Sequence, residues 1–254
     1  MAQDVNSPDF VIGVIGTGTM GRGIAQISVT GGFKVKMYDA QEGAANKAQE
    51  FITRMVSRAA EKGQMSEEDA AAANGRLQIV GALSDLSHCG MIVEAIVENL
   101  DVKRKVFSEL EGYVADDTIL ASNTSSLSDT QIAAGCAKPE RVAGYHFFNP
   151  VPLLKVVEVV DGQMTAPWVA DKLDAISRKC GHDPVRTQDT PGFLVNHAGR
   201  GLYTEGVRIL AESIAAPHQV DDVLREGGAG FRMGPFELMD TTGLDVSGVV
   251  MESI

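Results

Sequence analysis

The apolar run Phe10-Val11-Ile12-Gly13-Val14-Ile15 leads straight into Gly16-Thr17-Gly18-Thr19-Met20-Gly21, and a helical pattern follows from about Met20 to Thr30. A short apolar run ending in glycines predicts a buried strand. The hexapeptide after it fits G-x-G-x-x-G. In that setting the first glycine permits a tight turn, the second lets backbone approach a pyrophosphate, and the third lets helix and strand pack closely. The helix start adds unpaired N–H groups and a partial positive charge. In a chain with 27 glycines the pattern alone carries little weight, and its position between strand and helix gives it meaning. Asp39 stands 18 residues beyond Gly21, at the end of a second expected strand, Phe33 to Tyr38. A carboxylate there can take both ribose hydroxyls, and Ala40-Gln41-Glu42 holds no Arg or Lys for a 2′-phosphate, so NAD is favoured over NADP. The competing reading is a glycine turn beside a surface aspartate.

Outward from this unit the alternation continues. A long helix is expected from Gln41 to Lys62, stopped by Gly63, and a short one opens at Ser66 with Asp69 as its capping-box partner. Strands are expected at Leu77–Val80, Met91–Val97, Thr118–Ser122, Val142–His146, Leu154–Val160 and Asp183–Thr187. Helices fall between them at Asp101–Val114, near Leu127–Ala134, and at Trp168–Cys180. Val102, Val106, Leu110 and Val114 would form the buried face of the first of these. Repeated strand–helix alternation predicts an α/β fold, a Rossmann-like, mostly parallel sheet covered on both faces, with a helical hairpin inserted. From Asp189 the pattern turns helical. Pro191 suits a first helical position, and Pro235 begins another helix ending near Gly243. The expected division is a sheet domain of residues 1–189 and a helical domain of residues 190–254.

The net charge of −12 excludes a protein whose whole surface binds nucleic acid or anionic lipid. No apolar run approaches a membrane span of about 18 residues, and the N-terminal residues lack the pattern of a secretory signal. Cys89, Cys136 and Cys180 are scattered. Such a set points to free thiols in a reducing, cytoplasmic setting and away from disulfides or a zinc site.

Four groups of residues are candidates for chemistry. His146, in Tyr145-His146-Phe147-Phe148-Asn149-Pro150, falls at the C-terminal end of a strand, the edge where open parallel sheets bind ligands. Period two puts Glu158 on one strand face with Leu154, Val156 and Val160. A carboxylate among apolar neighbours is costly unless paired, and a histidine partner would be oriented and made more basic by it. The bland alternatives are a structural histidine and an exposed edge-strand glutamate. Asn123-Thr124-Ser125-Ser126 offers hydroxyls and an amide at the same edge, or a helix N-cap before Leu127. Gly192, Asn196 and Gly199 would share one small-residue face of a helix begun by Pro191, a face that plain packing explains as well as a site does. Lys47, Arg54, Arg58 and Lys62 fall within roughly 80° of arc on the long helix, a stripe that could meet an anionic ligand. Glu50 and Glu61 lie on the same side, so spacing alone favours a solvated, salt-bridged face.

Taken together, these motifs resemble the short-chain L-3-hydroxyacyl-CoA dehydrogenase family. The matching segments are Gly13 through Gly21, Glu94-Ala95-Ile96-Val97-Glu98-Asn99, Ala121 through Leu127, and His146 through Pro152. Asp189 through Phe193 and Met233 through Leu238 complete the set. The resemblance spans essentially the whole chain. It implies an NAD-dependent oxidoreductase that converts L-3-hydroxyacyl-CoA reversibly to 3-oxoacyl-CoA, in fatty acid metabolism among other settings. His146 would be the base, Glu158 its partner, and Ser125 and Asn196 the groups holding the reacting oxygen. Gly16, Gly18, Thr19, Met20, Gly21, Asp39, Glu98, Lys103, Ser125 and Asn149 would contact NAD. Lys62 and Ser125 would contact the CoA substrate, which moves the cationic stripe toward function, whereas Met55 stands where the family can use a serine. A homodimer paired through the helical domain is also implied. Family members continue past Ile254, so the helical domain is expected to be incomplete in this chain. Two other readings stay open: a non-enzymatic NAD-binding or structural protein on the same scaffold, and a dehydrogenase of free 3-hydroxy acids.

Overall fold

The computed structural model describes residues 4–244 and Gly248. Two compact units emerge, Met1–Asp189 and Thr190–Ile254. In the first, the apolar runs form strands β1 (Val11–Ile15), β2 (Lys34–Tyr38), β3 (Leu77–Ile79), β4 (Met91–Glu94) and β5 (Ile119–Ser122). Three more follow, β6 (Val142–Phe147), β7 (Val156–Asp161) and β8 (Asp183–Gln188). They build one eight-stranded sheet in the order β3-β2-β1-β4-β5-β6-β7-β8. Every neighbouring pair is parallel except β6·β7, which is antiparallel.

Helices α1 (Thr19–Thr30), α2 (Ala44–Glu61), α3 (Glu67–Gly75), α4 (Leu100–Glu111), α5 (Asp129–Ala133) and α6 (Pro167–Lys179) cover the sheet or form the inserted hairpin. Two apolar clusters hold them. One is built around Ile12, Val14, Met37, Val93 and Val157, the other around Ile15, Ile92, Phe107 and Leu120. Val14 and Ile15 therefore go to different clusters, as the two-residue period of a strand requires. The central strands are buried on both faces, which is why they read as continuous apolar runs.

Local chemistry sets the boundaries. Ser66 Oγ accepts the Asp69 N–H and donates to the Asp69 carboxylate, so the expected cap forms. Helix α2 begins at Ala44 instead of Gln41, because Gly43 is left-handed at φ 75° and because the Gln41 N–H is tied to Asp39. On α4 the buried face is Lys103, Phe107 and Leu110, and Val102 is exposed. The larger ring of Phe107 and the ion pairs of Lys103 set the rotation, one position away from the valine stripe. Strand β7 starts only at Val156, so Leu154 and Val156 are exposed while Glu158 and Val160 are buried.

The second unit contains α7 (Val195–Ala211), α8 (Pro217–Glu226) and α9 (Pro235–Thr242). Pro191 does not open a helix. Gly192 and Phe193 have φ of 74° and 48°, a left-handed pair that cannot continue a right-handed helix, so α7 begins at Val195. Gly192 therefore lies outside the helix, and the expected Gly192–Asn196–Gly199 face does not exist. Among the described residues, no helix is long and apolar enough to cross a membrane.

Candidate active site

The glycine loop is built as its spacing requires. Gly16 is left-handed at φ 84°, and a Cβ there would lie 2.5 Å from the Ala95 carbonyl oxygen. A Cβ on Gly21 would lie 1.8 Å from the Gly16 carbonyl oxygen, so α1 and the loop touch where only glycine fits. Gly18 is different: a Cβ there would meet nothing within 4 Å among the described residues, so their packing does not demand a glycine. Gly18 caps α1 without any side-chain cap, and Thr19 and Met20 open its first turn, where backbone N–H groups lack helical partners. A diphosphate fits this cradle. Asp39, just beyond β2, accepts hydrogen bonds from the Thr17 N–H and hydroxyl, both at 2.7 Å, and from the Gln41 N–H at 2.9 Å. Partial burial raises its affinity for a proton, but these three hydrogen bonds outweigh that and hold the carboxyl below its ordinary range. It stays anionic, as a group that is to bind ribose hydroxyls would need to be.

At the next crossover, Lys103 reaches back from α4 under the ends of β4 and β5. Its ammonium is 2.6 Å from Glu94 Oε1 and 3.2 Å from Glu98 Oε2, and it is buried. Glu94 also accepts the Ser122 hydroxyl at 2.8 Å and the Ile96 N–H at 2.7 Å. Glu98 accepts the Thr124 hydroxyl, the Ser126 hydroxyl at 3.1 Å and the Ser125 N–H at 3.2 Å. Burial raises the Glu98 carboxyl, and the Lys103 charge with these hydrogen bonds more than reverses the effect, leaving it low. Thus Lys103 is enclosed by protein, and it holds Glu98, which in turn shapes the Ser125 loop.

The Asn123–Ser126 segment divides its tasks. Asn123 Oδ1 accepts the Phe147 N–H at 3.0 Å, stitching this loop to β6. Thr124 Oγ accepts the Leu127 N–H, but the N-cap of α5 is Ser128. Ser125 is half-buried between them.

His146 and Glu158 come together. They are directly opposed residues of the antiparallel β6·β7 pair, with His146 Nδ1 2.6 Å from Glu158 Oε2 and both side chains buried. The Phe148 ring tilts against the imidazole at 4.6 Å. An ionised glutamate can only accept, so Nδ1 donates and Nε2 is the basic nitrogen of the neutral ring. Asn196 belongs to the other unit, as the second residue of α7.

The cationic stripe is partly drawn into a cleft of about 700 Å³ between α1, α2 and the loop after β6. Arg58, Lys62, Met55 and Asn149 line it; Lys47 and Arg54 do not. Among the described residues no ion pair joins Glu50 to Arg54, and neither Glu50 nor Glu61 lines the cleft. Spacing also missed Arg22, which enters the cleft from α1, and the buried Glu94. A carboxylate in the middle of the otherwise apolar run Met91–Val97 was the available signal for Glu94. Nothing local marks Arg22.

Residues 11–190 match the family model described as 3-hydroxyacyl-CoA dehydrogenase, NAD binding domain, and residues 192–254 match 3-hydroxyacyl-CoA dehydrogenase, C-terminal domain. A 3-hydroxyadipyl-CoA dehydrogenase of Escherichia coli K12 is 42% identical over 96% of this chain, which spans 51% of that protein's length. A probable 3-hydroxybutyryl-CoA dehydrogenase of Bacillus subtilis 168 is 39% identical, covering 94% of this chain and 83% of its own. The crystal structure of (S)-3-hydroxybutyryl-CoA dehydrogenase from Ralstonia eutropha is similar with a TM-score of 0.92 at 34% identity, covering 96% of this chain and 86% of that one.

Proposed function

The chain belongs to the 3-hydroxyacyl-CoA dehydrogenase family, and from that premise we propose that it interconverts L-3-hydroxyacyl-CoA and 3-oxoacyl-CoA, with His146 as base and Glu158 as its partner. The observation that carries this reading is the buried His146–Glu158 pair at 2.6 Å. Gly16, Gly18, Gly21 and Asp39 would hold NAD, which would supply the hydride acceptor. As hydride leaves C3, His146 Nε2 takes the proton of the 3-hydroxyl, and Glu158 stabilises the imidazolium that forms. Ser125 holds the oxygen while its charge changes, and for Asn196 the same role is carried by the family resemblance alone. In reduction the same proton returns from His146 to the carbonyl oxygen. Glu98 contacts cofactor with the Ser125 loop it orders, Lys103 acts through Glu98, and Asn149 lies beside Thr19 on the cofactor side of the cleft. Lys62, together with Arg58, takes the anionic end of CoA.

The residue pattern supports an enzyme over a structural NAD-binding protein, since Ser125, His146, Glu158 and Asn196 are all present. The cationic cleft supports CoA thioesters over free 3-hydroxy acids. Exposed Leu202, Val207, Leu210, Ile214 and Val223 on the helical unit support a homodimer through that domain. Three cysteines outside any disulfide support a cytoplasmic setting. Oxidation of NADH is to be compared with acetoacetyl-CoA and with free acetoacetate. Consumption with the thioester alone is expected. Consumption with the free acid alone would remove the CoA assignment, and none with either would favour the structural reading.

A further inference from the structure

Arg22 is the first helical residue after the glycine motif, and it sits with its guanidinium carbon 4.1 Å from the centroid of the Phe51 ring on α2. Stacking of this kind fixes the plane of a guanidinium and leaves its N–H edge directed outward for phosphate or carboxylate. The stacked pair faces the 700 Å³ cleft, where Arg22, Arg58 and Lys62 are all lining residues and, among the described residues, no Asp or Glu is. In a chain of net charge −12, three cations converging on one cleft without a carboxylate is a local reversal of the surface. The wall opposite α2 is held close for a steric reason. A Cβ on Gly23 would lie 2.9 Å from Val151 Cβ, so the 149–153 loop packs directly on α1 beside Arg22. The cleft thus has a preorganised cation on one side, two flexible cations along α2, and an apolar strip of Pro150 to Leu153 leading toward the His146 strand.

We propose that Arg22, held on the face of Phe51, is a specificity-determining contact for the phosphorylated adenosine end of CoA, so that this chain selects full CoA thioesters over thioesters lacking that end. The proposal rests on the dehydrogenase reading above and names a residue of the same site. A charged hydrogen bond to phosphate is worth about 1.5–3 kcal/mol, or about tenfold and upward in affinity. The test compares acetoacetyl-CoA with acetoacetyl-N-acetylcysteamine, which shares the reacting group and lacks the nucleotide, in the full chain and in Arg22→Ala. The expected result is that the ratio of kcat/KM between the two thioesters falls about tenfold in the variant, through KM for the CoA form, with KM for NADH unmoved. Added salt should shrink the difference between wild type and variant, because the contact is partly exposed. Using the ratio makes the comparison independent of any loss of folded enzyme. An unchanged ratio, or a rise in KM for NADH in place of that for CoA, would overturn the inference. Failure of the wild-type chain to reduce either thioester would overturn the dehydrogenase reading itself.

Discussion

His146 and Glu158 are twelve residues apart in sequence and directly opposed across the antiparallel β6·β7 ladder, with Nδ1 and Oε2 2.6 Å apart. The sheet reverses direction only at this pair of strands, and the reversal brings a carboxylate from a later strand onto the imidazole. Removing the charge while keeping the shape separates orientation from electrostatics. Glu158→Gln should lower kcat about 10²- to 10⁴-fold, the range for a general base and for loss of the acid that fixes its tautomer. KM for acetoacetyl-CoA should change little. Steady-state rates on the purified variant give both numbers, and a kcat within a factor of about 10 of wild type would deny Glu158 the role.

The glycine loop separates packing from binding. Gly18 has a φ of −62°, open to any residue, and a Cβ there meets no atom of the described residues within 4 Å. Gly18→Ala should therefore keep stability within about 0.5 kcal/mol while weakening NADH, whose diphosphate needs that surface. Gly21→Ala drives a Cβ into the Gly16 carbonyl and should lower the denaturation midpoint. Chemical denaturation and fluorescence titration with NADH distinguish the two, and equal loss of stability in both variants would refute the distinction.

Asp129 opens α5 with both carboxyl oxygens buried, without a hydrogen-bond partner among the described residues, and packed over Gly144. Burial first, then the carboxylates of Asp189, Glu94 and Glu98, push its carboxyl well above the ordinary range, against the opposing charge of Lys103. A carboxyl whose folded pKa is raised takes up a proton on folding. Its stabilising contribution is complete below the unfolded value and is lost as pH rises toward the folded one. Wild type should lose stability relative to Asp129→Asn by up to roughly 1.4 kcal/mol per pH unit across that window. Urea midpoints at pH 5, 6 and 7 read this directly, and parallel profiles for the two proteins would contradict it.

What the residues disclose alone follows from how local each signal is. The strands of the parallel sheet and the glycine loop announce themselves because both are written in contiguous residues. His146 and Glu158 are legible as a pair because a two-residue period and the cost of a buried carboxylate are local arguments. Lys103 is different: its partners Glu94 and Glu98 lie across a turn, and a lysine on a helix face normally reads as solvated. Its enclosure depends on three elements meeting, and the stacking of Arg22 on Phe51 likewise depends on two helices, α1 and α2, coming together. The start of α7 departs from its sequence signal for another reason. Proline at a helix start is a preference, and the left-handed backbone at Gly192 and Phe193 overrides it.

In the proposed reaction His146 moves the proton while taking no part in holding the cofactor. His146→Gln replaces the base with a side chain that can still hydrogen-bond but cannot accept a proton at neutral pH. The decisive measurement pairs turnover of acetoacetyl-CoA with NADH binding on that one variant. Turnover should disappear, and the dissociation constant for NADH should stay within a factor of about two, since no step of binding uses the imidazole. Retained turnover, or loss of NADH binding in its place, would contradict it.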